Sequence, residues 1–228
     1  MAMSLPLLVF TDLDGTLLSH SSYRWDAATP ALDTLRRIGA AVVLASSKTA
    51  PEIAEIRAEL AWDHCPAIIE NGAGILPPDS TDMPKTDSYV RLRHALDSLP
   101  AELRDPFCGF GDMTVAQIAQ ITGLSHNDAA NAAERAFSEP GIWSGSAELR
   151  GAFIDALHDH GIHAREGGRF LTLSYGRTKA DQMAALTDQA QARKARVQTL
   201  VDRVVTWFVP VVIVLAVIVA TAWALAGT

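Results

Sequence analysis

Cysteine is scarce: Cys65 and Cys108 are the only two in 228 residues, and no CxxC pair occurs. That excludes a disulfide framework and a zinc knuckle, and it fits a reducing compartment. Basic residues are few and scattered. Nineteen Lys and Arg stand against 26 Asp and Glu, a net charge of −7, and no block of them could act as a phosphate-backbone footprint. Nucleic acid is therefore not expected as a partner. No internal repeat or low-complexity tract occurs, and residues 5–10 are too short an apolar stretch, without a basic prelude, for a secretion signal.

The charge is unevenly placed. Residues 1–189 hold 15 basic and 25 acidic side chains, whereas residues 190–228 hold four and one. The last 25 residues, VVTWFVPVVIVLAVIVATAWALAGT at 204–228, carry no charge, and about 20 apolar residues suffice to cross a bilayer. Only Thr206 and Thr221 interrupt this run, so it lacks the polar stripe of a buried core helix. Trp207 and Trp223 lie near its ends, and Arg193, Lys194, Arg196 and Arg203 precede it. Basic flanks stay in the cytoplasm, so the expectation is a basic linker at 190–203 and a single-pass transmembrane helix at 204–228 that anchors the chain to the cytoplasmic face of the cell membrane.

Ahead of that run, short apolar segments at 7–11, 41–45 and 67–70 alternate with helix-period segments marked by Leu32, Leu35 and Ile38 and by Ile53, Ile56 and Leu60. Strands alternating with helices imply a parallel sheet, so the opening reads as doubly wound α/β. After Gly72 the character changes. A loop-rich stretch precedes helix-like segments at 89–99, 115–122 and 128–137, and Ser125 with Asp128 three residues on marks a helix start. A further strand is expected at 169–174 and a helix at 178–191. The resulting expectation is a first core part at 1–79, an inserted α+β cap at 80–165, and a second core part at 166–189.

The sharpest chemical signal is FTDLDGTLL. Asp12 and Asp14 follow a strand at the carboxyl edge of the sheet, where open α/β folds bind ligands. Two carboxylates there invite a hard cation. Asp12 can attack a phosphoryl group to form an aspartyl-phosphate, while Asp14 can donate a proton to the leaving oxygen and later take one from water. Gly15 and Thr16 would let backbone N–H groups approach phosphate oxygens. The alternative, an Asp-rich turn that merely solvates a strand end, does not account for the whole DxDGT run behind an apolar strand.

This motif resembles that of the haloacid-dehalogenase-like phosphatases. The resemblance extends to Ser46, at the end of the second strand, where the superfamily places a Ser or Thr that bonds the transferring phosphoryl, and to Lys179, which matches its phosphate-neutralising lysine. It narrows with SSKT and Glu52, ENGA at 70–73, GFGDMT at 109–114, AERAFSEP at 133–140 and GGRF at 167–170. Together, over about residues 7–186, these look like the mannosyl-3-phosphoglycerate phosphatase family. The resemblance implies a Rossmann-like core with a cap closing over a phosphorylated sugar acid, Mg²⁺ held through Asp12 and Asp14, and Asp12, Asp14, Ser46 and Lys179 as the catalytic set. It further implies Lys48, Asn71, Arg135, Glu139, Gly168 and Arg169 as substrate contacts, the arginines gripping a carboxylate and Glu139 accepting from sugar hydroxyls.

Members of that family continue past the lysine helix into a strand ending in GDxxxD, which completes the metal site. Here only Asp181, Asp188 and Asp202 follow, none behind an expected strand, so the sheet is expected to be incomplete and the activity impaired. Residues 190–228, with QTLVDRV and FVPVV, resemble instead the stretch leading into a membrane helix of heavy-metal-transporting P-type ATPases. The two resemblances meet near Thr187, as a fusion or rearrangement would leave them. Two other functional readings therefore stand beside the phosphatase: an inactive module that binds a phosphorylated sugar acid, and a fragment of a cation transporter. His158, His160 and His163 read as a surface cluster, and Trp25, Trp62 and Trp143 as packing residues.

Overall fold

In the computed structural model, residues 7–19, 24–82, 85–192 and 212–213 are described. Two compact units are present, Met1–Met183 and Ala184–Thr228. In the second, residues 184–192 are helical, and Val212 and Ile213 are helical and exposed. No helix among the described residues is long and apolar enough to cross a membrane. The basic segment at 193–203 and the span expected at 204–228 lie, apart from Val212 and Ile213, outside the described residues, as does most of the transporter-like segment.

The first unit opens with β1 (Leu8–Thr11), α1 (Thr29–Arg37), β2 (Ala41–Leu44), α2 (Ala50–Glu59) and β3 (Ala67–Ile69). β1 and β2 pair in parallel from Leu8 with Ala41 to Thr11 with Leu44. Ala45, just past β2, bridges in parallel to Ile68, and the Ser46 amide donates to the Ile68 carbonyl at 2.9 Å. A short antiparallel strand, β4 (Gly74–Leu76), then pairs with β3. This is the expected α/β core. α2 starts where it does because Thr49 and Glu52 form a capping box and a proline occupies the first turn. Leu13, Leu32, Val42, Leu44, Ile53, Trp62, Ile69 and Leu76 form one buried cluster, each such large side chain stabilising the fold by about 1.5–3 kcal/mol relative to exposure. Among the described residues β1 pairs only with β2, and all four of its residues are half-buried.

The cap comprises α3 (Ser88–Asp97), α4 (Ala101–Arg104), β5 (Phe107–Gly109), α5 (Val115–Thr122), α6 (His126–Ala133), β6 (Ser138–Trp143), α7 (Ala147–His158), β7 (Ile162–Gly167) and β8 (Phe170–Tyr175). Its four strands form an antiparallel sheet in the order β5-β6-β8-β7. Phe107, Phe153, Leu157, Ile162, Leu171 and Leu173 bury one face of it. Ser125 caps α6, its oxygen accepting from the Asp128 amide at 3.2 Å.

Three sequence expectations change here. The helix expected at 128–137 ends at Ala133, and β6 follows from Ser138, although Pro140 and Gly141 lie within it. The strand expected at 169–174 as the return to the core is β8, which lies between β6 and β7 in the cap sheet. Its alternating FLTLSY pattern buries Leu171 and Leu173 against the cap cluster, as a one-sided antiparallel strand requires. The cap thus runs to Tyr175 rather than to 165. His158 and His163 stack edge to face at 5.0 Å, at the end of α7 and on β7, and no metal-binding group of three or more side chains occurs among the described residues.

Candidate active site

Past the end of β1 the chain alternates inward and outward. Leu13 is fully buried, while Asp12 and Asp14 on either side of it are exposed. The turn is tied by its own backbone: Leu18 N donates to Leu13 O at 2.8 Å, and Leu17 N to Asp12 O at 3.3 Å. Gly15 supplies the positive φ of 72° that the reversal needs. Its amide donates to Leu18 O at 2.9 Å and that of Thr16 to Leu13 O at 3.2 Å, so these two N–H groups serve the turn and not, as expected from sequence, a phosphate. The Leu13 amide donates to Asp12 Oδ1 at 3.0 Å and fixes the carboxylate.

Lys179 reaches the same oxygen. Its Nζ donates to Asp12 Oδ1 at 3.0 Å, and it sits in the first turn of a helix capped by Thr178, whose amide and hydroxyl both donate to Asp181 Oδ2 at 2.8 Å. These two bonds hold the Asp181 carboxyl below its usual range. The 70–72 turn locates that helix. Gly72, at φ 97°, packs so closely that a Cβ would overlap the Thr178 carbonyl and the Lys179 nitrogen, and Gln182 Nε2 donates to Gly72 O at 3.0 Å.

Asp12, Asp14, Lys48, Asn71, Arg135, Gly168, Arg169 and Lys179 all line one cleft of about 740 Å³ between core and cap. Lys48 pairs with Glu52 at 3.4 Å, and Glu52 also lines the cleft. Asn71 takes a left-handed conformation, φ 59°. Arg135 Nη1 donates to Ser47 O at 3.0 Å, and its guanidinium lies 5.7 Å from the Phe110 ring centre. Gly168 and Arg169 form the two-residue turn between β7 and β8, and Arg169 lies 5.8 Å over Phe170. Phe110 and Phe170 pack edge to face at 5.5 Å, so the cap side of the cleft presents two guanidinium groups on an aromatic floor.

Two expected site residues lie elsewhere. Ser46 is fully buried; its Oγ accepts from the Lys48 amide at 3.3 Å and its carbonyl from Asn71 N at 2.8 Å. Ser47, its neighbour, lines the cleft instead. Glu139 is also fully buried, within the cap. Its carboxylate accepts from Tyr89 Oη at 2.6 Å, Arg93 Nη1 at 2.9 Å and the Gly111 amide at 2.8 Å. Desolvation pushes its carboxyl up despite these bonds. Its acceptor positions are occupied by cap groups, so it does not offer them to a sugar hydroxyl. Sequence reasoning assigned no role to Phe110, Phe170 or Ser47, although they stand inside the GFGDMT, GGRF and SSKT motifs; Glu52, noted beside SSKT, lines the cleft as well.

Asp12 and Asp14 offer hard oxygen donors on the cleft wall, a set compatible with a divalent cation that takes one or two protein carboxylates with water and phosphate.

Residues 9–93 match the family model of haloacid dehalogenase-like hydrolases. Among solved structures the chain is similar to a haloacid dehalogenase-like hydrolase from B. subtilis, at 17% identity and TM-score 0.56 over 81% of this chain and 79% of that one. It is also similar to a phosphatase of the haloalkanoate enzyme superfamily from Bacteroides thetaiotaomicron, at 20% identity and TM-score 0.57 over 84% and 76%. A sugar phosphatase of subclass IIB is 16% identical, with a TM-score of 0.54 over 81% and 76%. At these identities the likeness is one of fold. The chain carries the fold of the haloacid dehalogenase-like hydrolases, with its residues 9–93 matching that family.

Proposed function

We propose that this protein hydrolyses phosphomonoesters through a covalent phosphoryl group on Asp12, and that its substrate is a phosphorylated sugar acid of the mannosyl- or glucosyl-3-phosphoglycerate type. The observation that carries the reading is the 3.0 Å contact of Lys179 Nζ with Asp12 Oδ1 at the wall of a 740 Å³ cleft that Asp14 also lines. A cation there neutralises both the nucleophile and an incoming phosphoryl group. Arg135 and Arg169 on the cap wall suit a second anionic group on the substrate, and their planar forks match a carboxylate. The sugar-acid choice rests on the motifs SSKT, ENGA, GFGDMT and GGRF.

In the first half-reaction an Asp12 carboxylate oxygen bonds to phosphorus as the ester oxygen leaves, and Asp14 acts as the general acid that delivers a proton to that oxygen. In the second, Asp14 takes a proton from water, the water oxygen bonds to phosphorus, and the Asp12–phosphorus bond breaks to release inorganic phosphate. Lys179 offsets negative charge on the phosphoryl oxygens in both. A bound Mg²⁺, held by the Asp12 carboxylate and the Asp14 backbone carbonyl, would supply further neutralisation of the transferring group.

Phosphate release from mannosyl-3-phosphoglycerate by the full chain with Mg²⁺ tests this reading, with loss of release in D12N as the expected result. No release by the wild type opposes it. We also propose anchoring at the cytoplasmic face of a membrane, on the strength of the uncharged run at 204–228 and the basic residues before it. Loss of membrane partitioning on deleting 204–228 supports the anchor; partitioning that survives the deletion opposes it.

A further inference from the structure

Glu70, at the end of β3, is 1% exposed and carries a carboxylate with no basic side chain bonded to it among the described residues. The cap's backbone serves it instead. Its Oε1 accepts from Ala136 N at 2.9 Å, and its Oε2 accepts from Phe137 N at 3.1 Å and from Ser138 N and Oγ at 2.7 Å each. Three successive amides and a hydroxyl form a concave anion nest, which makes burial of the charge tolerable. The fit demands a price at Glu70 itself, whose φ is 48°, a left-handed conformation that a glutamate rarely takes. Its own amide donates to Lys48 O at 2.9 Å.

The immediate neighbours of this clasp matter. Asn71, next to Glu70 on the core side, and Arg135, next to Ala136 on the cap side, stand on the wall of the same cleft. The ring of Phe137 packs against Gly74, where a Cβ would overlap it. The 135–138 segment is thus a piece of cap seated on the core, its backbone bound by the Glu70 carboxylate, with the Arg135–Ser47 bond and the Phe137 ring on either side of that clasp.

We propose that Glu70 is a positioning residue: by binding the 136–138 backbone it fixes Arg135 of the cap and Asn71 of the core on one cleft wall, so that a substrate with an anionic leaving group is gripped while a small phosphate ester is not affected to the same degree. This rests on the hydrolase reading above. Glutamine at this position keeps the volume but turns an NH₂ group toward donors, so the nest loses an acceptor.

The test compares wild type and E70Q, as full chains with Mg²⁺, on mannosyl-3-phosphoglycerate and on p-nitrophenyl phosphate. The expected result is a selectivity ratio, kcat/KM of the first over the second, that falls about tenfold, chiefly through KM of the sugar acid, as loss of a charge-assisted hydrogen bond at a binding wall produces. Limited trypsin digestion is read in parallel. Cleavage after Arg135 accelerates about tenfold in E70Q relative to cleavage after the exposed Lys85, which a general loss of stability would not do selectively. Where E70Q does not fold, S138A removes one of the four donors and is expected to move both readouts in the same direction by a smaller factor. Equal loss on both esters, with the Arg135 site as resistant as in wild type, overturns the proposal. Wild type inactive on both esters overturns the hydrolase reading, and the trypsin arm then still reports whether the clasp holds Arg135.

Discussion

Gly72 lies against the peptide between Thr178 and Lys179 so closely that no side chain fits between them. The two segments are far apart in sequence, yet the glycine sets where the Lys179 helix begins, and Gln182 reinforces the contact through its bond to the Gly72 carbonyl.

Alanine at position 72 would meet both a positive φ and backbone atoms that have no room to yield. G72A is expected to lower stability by about 2–4 kcal/mol, combining left-handed strain with overpacking. Urea denaturation measures this. Activity should fall further than the unfolded fraction explains, because Lys179 moves with the helix.

The Lys179–Asp12 pair is partly open to solvent, at 29% and 49% side-chain exposure. K179A is therefore expected to change stability by less than about 1 kcal/mol, while kcat falls about 10²–10³-fold through lost charge stabilisation. Thermal melting and steady-state kinetics on the same preparation separate the two. A large loss of stability with unchanged kcat would make the lysine structural.

Glu139 predicts a pH effect away from the cleft. Burial lifts its carboxyl above the ordinary value of 4.5, so the folded chain keeps this proton to higher pH than the unfolded chain does. The stability it contributes is fully present below about 4.5 and is lost as pH rises through the folded-state value. E139Q removes this titration but misplaces a donor near Arg93 and Gly111, at a cost of about 1–3 kcal/mol. The gap between wild type and E139Q, followed by denaturation, should narrow as pH is raised from below 4.5 toward neutrality; a widening gap would contradict the burial argument.

The core and the Asp12 loop were legible in the sequence because their signals are local. Apolar runs gave β1, β2 and β3, and DxDGT marks a strand end within one short run, whereas the Lys179 partner of Asp12 lies 167 residues away. What escaped depends on long-range pairing. β6 contains Pro140 and Gly141, which weaken any strand signal, and it exists because β5 and β8 flank it. β8 read correctly as a strand, but which sheet it joins is decided by β6 and β7. Glu139 sits in a motif that suggested substrate contact, and only the approach of Tyr89 and Arg93, 50 and 46 positions away, reveals it as a cap residue. Glu70 stood unremarked inside ENGA for the same reason, since its partners begin 66 residues later.

An acyl phosphate on the Asp12 carboxyl is the intermediate on which the proposed function depends. It is tested most directly by mixing the full chain with Mg²⁺ and mannosyl-3-phosphoglycerate, quenching a single turnover in acid, and mapping the phosphorylated peptide by mass spectrometry. The account predicts one phosphoryl group on Asp12, absent in D12N. Turnover with no phosphorylated peptide, or with the phosphoryl group on another residue, would contradict it.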